Sequence, residues 1–209
     1  MSLIDWFGST RRESTADRWI ALDLETTGLD PAHDRIIEIG AVAIHRGEVV
    51  LNDYFHRVIA GSGTVSAANR VVHGVTAREQ YDGAALSEAL DALLLWMADA
   101  PFVGFFTDFD VKFLRTALAA HANKATAKSF ASHNIDMQRI APAAFPSIRA
   151  KSLGEWSAAL RLPIKKQHRA LADALATAHL AQRVLATLPH EKRTFSEMRR
   201  LESVSKWST

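Results

Sequence analysis

The stretch that decides the fold is a short alternating segment with a turn behind it. It reads Trp19-Ile20-Ala21-Leu22-Asp23-Leu24-Glu25-Thr26-Thr27-Gly28-Leu29-Asp30-Pro31. Its apolar residues alternate with their neighbours, which predicts a strand that buries one face. Asp23 and Glu25 therefore leave the same face, opposite Leu22 and Leu24. Two adjacent carboxylates repel unless a cation lies between them, so this strand end is a candidate site for a divalent ion. A solvated acidic strand end is the alternative that the pair alone leaves open.

The rest of the chain predicts strands first and then strands mixed with helices. Two β-branched strands are predicted over 35–46 and 49–59, joined by a hairpin at Gly47-Glu48. A further strand is predicted over 101–106, and helices over 84–98, 108–121, 135–145, 152–160 and 170–188. This order indicates an α/β fold with a mixed central β-sheet flanked by α-helices.

Composition describes one folded domain and excludes several chemistries. The chain has 209 residues, 48% hydrophobic and 23% charged, with no cysteine and a net charge of +2. Disulfides, thiolate zinc sites and cysteine nucleophiles are therefore excluded. No secretory signal or membrane span is recognisable, which predicts a cytoplasmic protein. We divide the chain into a polar leader (1–18), one domain (19–188) and a basic arm or helix on the surface (189–209).

Two further acidic positions have a simple local interpretation when each is taken alone. Asp110 lies in the first turn of a predicted helix, and Thr107-x-x-Asp110 has the form of a capping box. Asp108 is the predicted local cap. His168 and Asp173 flank the start of the last long helix, where the helix dipole favours an acidic residue.

In combination, these positions resemble a known set of motifs. The order Asp-x-Glu, Phe-Asp and His-x-Ala-x-x-Asp is similar to the three motifs of the DEDDh, or DnaQ-like, 3′–5′ exonuclease family, which includes the epsilon proofreading subunit of bacterial DNA polymerase III. The segments 21–30 and 73–76 (His-Gly-Val-Thr) and Asp136 resemble further family positions, so the resemblance runs from Trp19 to Leu188. It implies a ribonuclease H-like fold.

The resemblance also implies a two-metal-ion hydrolysis. One Mg²⁺ or Mn²⁺ ion would be held by Asp23, Glu25 and Asp173, and the second by Asp23 with Asp110. His168 would be the general base. The substrate-binding residues that we carry over or infer are Leu24, Thr26, Thr27, Leu29, Phe106 and His168, and Lys165-Lys166 is a weaker candidate for phosphate contact.

One departure from the family keeps other functions open. Phe105-Phe106 stands where the family has His-Asn, so an aromatic ring could stack on a base there, although at least one of the two is expected in the core. The leading hypothesis is a 3′–5′ exonuclease that releases nucleoside 5′-monophosphates from single-stranded nucleic acid, with DNA favoured over RNA. The alternatives are an inactive nucleic-acid-binding or polymerase-associated module and an endonuclease of the same fold. A stand-alone nuclease, a DNA polymerase subunit and a homodimer all remain open.

Overall fold

The fold is built on a mixed five-stranded sheet. The computed structural model describes residues 18–61, 74–163 and 168–205. The strands are β1 (Arg18–Thr26), β2 (Ile36–His45), β3 (Glu48–Val58), β4 (Phe102–Gly104) and β5 (Asn134–Asp136), in the order β3-β2-β1-β4-β5. β1 pairs antiparallel with β2 and parallel with β4. The predicted α/β fold with a mixed sheet is confirmed.

Helices cover both faces of this sheet. They are α1 (Ala77–Tyr81), α2 (Leu86–Met97), α3 (Thr107–His121), α4 (Lys124–Ala131), α5 (Met137–Ala144), α6 (Leu153–Ala159), α7 (Ala170–Ala186) and α8 (Phe195–Ser205), with a 3-10 turn at His190–Lys192. Helices α2 to α4 pack on the face that carries Ile20 and Leu22. Helices α5 to α8 pack on the face that carries Trp19 and Ala21. None of the helices in the described segments is long and apolar enough to cross a membrane.

The alternation of β1 places its acidic residues on the α7 side of the sheet. Ile20, Leu22 and Leu24 lie in one core cluster, whereas Trp19 and Ala21 lie in the other. Asp23 and Glu25 continue the row of Trp19 and Ala21 and so point away from Leu22 and Leu24, as predicted.

Two predicted elements are displaced along the chain. The hairpin turn consists of Arg46 and Gly47, with φ of 51° and 82°, and Glu48 already belongs to β3. A two-residue turn of this kind needs positive φ at both central positions, so the prediction at Gly47-Glu48 was one residue late. The helix predicted from residue 135 begins at Met137, because Ile135 pairs with Val103 as part of β5.

Helices α1 and α4 were not predicted. The signal for α1 was available, because Thr76 and Glu79 form a capping box at its start. For α4, the signal was Asn123, whose side chain accepts a hydrogen bond from the Thr126 N–H. Both helices are short, and short elements carry little periodicity.

The C-terminal helix α8 is part of the folded domain. Met198 is fully buried in the core under the sheet, and the Phe195 ring meets the Trp19 ring edge to face at 5.8 Å. Glu202 is also buried and accepts a hydrogen bond from the Asp136 N–H. Of the helix or arm predicted on the surface over 189–209, the structure has a helix, which buries Met198 and Glu202 and leaves Arg199 and Arg200 exposed. Residues 1–17, His73 and Lys165-Lys166 lie outside the described residues.

Candidate active site

Three carboxylates converge where β1 meets the start of α7. Asp23, Glu25 and Asp173 each offer an oxygen atom, and these atoms lie within 4.8 Å of one another. The first two come from the end of a strand, and the third comes from the first turn of α7. An all-oxygen donor set of this charge suits a hard divalent cation such as Mg²⁺ or Mn²⁺. The residues present therefore fit the metal chemistry that the family resemblance implies.

Asp110, in the first turn of α3, lies close to this cluster, since its charge acts on Asp23. Its Oδ1 accepts a hydrogen bond of 3.2 Å from the Leu24 N–H, and its carboxylate is buried. The capping box predicted for Thr107 and Asp110 does not form, because the Thr107 hydroxyl donates to the Ile135 carbonyl. Asp108 does not cap the helix either, since its carboxylate pairs with Arg139 at 2.6 Å. Both capping predictions were wrong.

Burial and mutual repulsion raise the pKa values of these carboxyl groups. Burial, with repulsion from neighbouring carboxylates, lifts the pKa of Asp23 well above its usual value. Burial does the same for the pKa of Asp110, against the hydrogen bond from Leu24. Burial also raises the pKa of Asp173, and burial with repulsion from Asp173 and Glu38 raises the pKa of Glu25 to about 7. A bound cation would relieve this repulsion.

The raised pKa of Glu25 predicts how the stability of the metal-free protein depends on pH. The folded state holds more protons than the unfolded state between pH 4.5 and about 7, so this contribution to stability is present at low pH and lost as pH rises. At pH 5 we expect Glu25→Gln to unfold at the same temperature as the wild type. At pH 8 it should unfold at a higher temperature, with a free energy of unfolding up to about 3 kcal/mol larger. Thermal unfolding in chelator measures both. Equal unfolding temperatures of the wild type and Glu25→Gln at pH 8 would contradict the prediction. With added Mn²⁺, the wild type should unfold at the higher temperature of the two.

His168 is held next to the cluster by its backbone. Its N–H donates to Asp173 Oδ2 at 2.9 Å, and its φ of 62° lies in the left-handed region. The residue is exposed. A strained, exposed histidine beside a half-buried carboxylate cluster suits a group that exchanges protons with bound water.

The residues predicted to meet substrate divide into exposed and buried ones. Leu29 is 84% exposed and Phe106 is 51% exposed, and both line a cavity of about 250 Å³. The Thr26 hydroxyl donates to the Gly28 carbonyl, and the Thr27 hydroxyl donates to Asp34. The Leu24 side chain lies in the core, so only its backbone is available near the site.

The two phenylalanines that depart from the family have different environments. Phe105 is buried in the core, as expected for one of them, whereas Phe106 projects into the cavity. Phe106 has φ of 62° and ψ of 44°, a left-handed conformation that is unfavourable for a bulky residue. Its N–H donates to Asp136 Oδ1 at 3.1 Å, which helps to hold that conformation.

Sequence reasoning missed one residue near the site. Glu38 is a fully buried carboxylate on β2 that contacts Arg169 and Ala170, directly after His168. The available signal was a charged residue inside the run Ile36-Ile37-Glu38-Ile39, because charged side chains are almost never fully buried unless they are paired.

Two relatives of known sequence are DNA polymerases. The PolC-type DNA polymerase III of Thermotoga maritima is 32% identical over 185 residues, which cover 88% of this chain and 13% of the polymerase. The PolC-type enzyme of Thermotoga petrophila is 33% identical over 162 residues, or 78% of this chain and 11% of the polymerase. The chain therefore corresponds to a small part of these relatives.

Solved structures share the fold. E. coli exonuclease I in complex with a dA16 oligonucleotide superposes with a TM-score of 0.70 at 16% identity, over 90% of this chain and 42% of that chain. Exonuclease X in complex with 5′ overhanging duplex DNA superposes with a TM-score of 0.61 at 21% identity, over 88% of this chain and 98% of that chain. The ribonuclease H-like fold that the resemblance implied is confirmed.

The family itself follows from a match to most of the chain. The sequence model described as RNase_T, exonuclease, matches residues 20–181, which span β1 through most of α7. That range contains the whole carboxylate cluster and His168. The protein belongs to the RNase_T exonuclease family.

Proposed function

We propose that the protein is a 3′–5′ exonuclease that removes nucleoside 5′-monophosphates from the end of single-stranded DNA, and from RNA less readily. The observation that carries this proposal is the convergence of Asp23, Glu25 and Asp173 within 4.8 Å, inside a chain that belongs to an exonuclease family. Buried Asp110, which accepts from the Leu24 N–H next to Asp23, completes the set of four carboxylates.

The residues of the site have separate tasks in this reaction. Two divalent ions, when bound, supply an activated water and relieve the charge on the departing 3′-oxygen. Asp23, Glu25 and Asp173 would hold one ion, and Asp23 with Asp110 would hold the other. His168 accepts the proton of the attacking water, because it is exposed directly beside Asp173. Thr26 and Leu29 orient the terminal nucleotide.

A direct assay tests the proposal. Two 5′-labelled oligomers of one sequence, one DNA and one RNA, are incubated with Mg²⁺ or Mn²⁺, with chelator, and with His168→Ala. We expect a ladder that shortens from the 3′ end, fastest for DNA, and no ladder in chelator or in the variant. Binding without shortening would favour the inactive module, and cleavage of a circular single strand would favour an endonuclease.

Phe106 is proposed to stack on a base of the bound strand. The ring is half-exposed beside Leu29 in the cavity, and its strained backbone keeps it there. Base stacking on an aromatic ring contributes about 1–3 kcal/mol per base. The strained backbone costs stability, and strain of this kind is typical of residues at functional sites.

The Phe106→Asn variant should therefore change stability and affinity in opposite directions. Asparagine tolerates the left-handed conformation, so we expect a gain in unfolding free energy of about 1 kcal/mol. Loss of the ring should weaken single-strand binding about tenfold, which corresponds to roughly 1.4 kcal/mol. Urea unfolding and fluorescence anisotropy with a labelled oligomer measure the two effects. Unchanged affinity would exclude the stacking role.

Proofreading for a DNA polymerase is the cellular role that the similarity to PolC-type polymerases supports. A proofreader should remove a mismatched 3′ terminus faster than a paired one, because a mismatched end is more often single-stranded. Comparing both termini on one primer-template tests this. Equal rates would favour a stand-alone nuclease.

A further inference from the structure

Glu38 is a buried anion whose two carboxylate oxygens are held by three residues. Its side chain is 1% exposed. Arg169 donates to it from Nε at 3.0 and 3.1 Å and from Nη2 at 2.8 Å. His56 Nε2 donates at 2.6 Å and the Ala170 N–H at 3.2 Å. Burial raises the pKa of Glu38, but these hydrogen bonds outweigh burial and hold it below its usual value. The carboxylate is therefore ionised.

This anion caps the helix that carries Asp173. Ala170 is the first residue of α7, and the N-cap residue Arg169 makes no side-chain cap of its own. Glu38 accepts the Ala170 N–H in its place, although the two are 132 residues apart in the chain. A negative charge is favourable at a helix N-terminus. The cap thus ties the start of α7 to β2.

Gly40, two residues further along β2, brings the same helix into close contact with the sheet. Gly40 pairs directly with Asp23 of β1. A Cβ atom added at Gly40 would lie 2.2 Å from the Ala170 carbonyl carbon and 2.2 Å from the Leu171 nitrogen. The backbone of α7 therefore rests on Gly40, and Asp173 follows one turn into the helix, beside Asp23.

We propose that Glu38 is a positioning residue for catalysis, which acts through Arg169 and the start of α7 to fix both Asp173 and His168 relative to Asp23 and Glu25. The proposal rests on the proposed exonuclease function. Arg169 is adjacent to His168 and also donates to Glu79 at 3.0 Å, so the residue that follows His168 is anchored to β2 and α1 together. A shift of about 1 Å in such groups can lower turnover about a hundredfold.

Asp53 supplies a matched control. It is a partly buried carboxylate on β3 that accepts hydrogen bonds from Arg18, His45 and Trp96. Its donors include an arginine and a histidine, as do those of Glu38. It lies at the opposite end of the sheet, since Arg18 pairs with His45 at the start of β1 and Asp23 lies near the end. Asp53→Asn should cost stability without disturbing the carboxylate cluster.

The test compares Glu38→Gln with Asp53→Asn in three measurements: turnover and KM on a labelled single strand, Mn²⁺ binding by calorimetry without nucleic acid, and thermal unfolding. We expect Glu38→Gln to lower kcat and Mn²⁺ affinity about 10- to 100-fold, with little change in KM. Asp53→Asn should keep the wild-type kcat and Mn²⁺ affinity at a comparable loss of thermal stability. Wild-type kcat and Mn²⁺ affinity in Glu38→Gln, or a parallel loss in both variants, would overturn the proposal.

A second variant and a separate binding measurement keep the test decisive. If Glu38→Gln does not fold, Arg169→Lys replaces it as the test variant. Lysine keeps the positive charge but cannot make the bidentate contact with Glu38, so we expect smaller losses of kcat and Mn²⁺ affinity. Wild-type behaviour of that variant would overturn the proposal. If the wild-type protein shortens no oligomer with either metal, the proposed function fails, and Mn²⁺ affinity decides the positioning role separately: weaker binding in Glu38→Gln supports it, and unchanged binding overturns it.

Discussion

Replacing Asp23 with asparagine is expected to abolish exonuclease activity while making the metal-free protein more stable. Asp23 lies near Asp110, Asp173 and Glu25, and burial together with the charges of these carboxylates raises its pKa. Removing its charge relieves the repulsion in the absence of metal. It also removes the carboxylate that both ions are proposed to share. The loss of several kcal/mol of transition-state stabilisation corresponds to about a thousandfold lower turnover.

The labelled-strand assay and thermal unfolding at pH 8 in chelator measure these two effects. Asp91→Asn is the control, because Asp91 is an exposed carboxylate on α2 that pairs with His121. That variant should keep wild-type turnover and gain no stability. Turnover within about tenfold of the wild-type value in Asp23→Asn with Mn²⁺, or a lower unfolding temperature in chelator, would contradict the proposed role of Asp23.

Replacing Gly40 with alanine is expected to cause the largest loss of stability, together with a loss of activity. The added methyl group would overlap the backbone of Ala170 and Leu171, which cannot rotate away as a side chain could. Helix α7 must therefore move off the sheet, at a cost of about 1–3 kcal/mol or more for the overpacked contact. Asp173 and His168 move with it, so turnover should fall about a hundredfold.

Urea unfolding and the labelled-strand assay measure the Gly40→Ala variant. Gly47→Ala is the control. A Cβ atom at Gly47 would meet its nearest atom at 3.8 Å, an ordinary contact, but the backbone of Gly47 has a positive φ of 82°. This variant should lose about 1 kcal/mol through backbone strain and retain full turnover. If Gly40→Ala lost stability but kept wild-type turnover, the contact between Gly40 and α7 would not determine the position of Asp173.

Much of the architecture was predictable from the sequence because it depends on neighbours along the chain. The alternation around Asp23 and Glu25 shows the strand and its two faces, and helical periodicity shows α7. The predicted fold class and family followed from the order of the motifs and are confirmed. The errors occur where a local motif competes with a distant partner. Asp110 resembled a helix cap, and its carboxylate instead accepts from the Leu24 N–H, 86 residues earlier.

The sequence by itself determined which residue types are available and which face of each element they occupy, since side-chain direction follows from backbone period. Only the tertiary structure decided which oxygen atoms meet. The carboxylates of β1 and α7 come within 4.8 Å because α7 rests on a residue without a side chain, Gly40, and is capped by buried Glu38. No pattern along the chain encodes those contacts, because they depend on how separately formed elements pack.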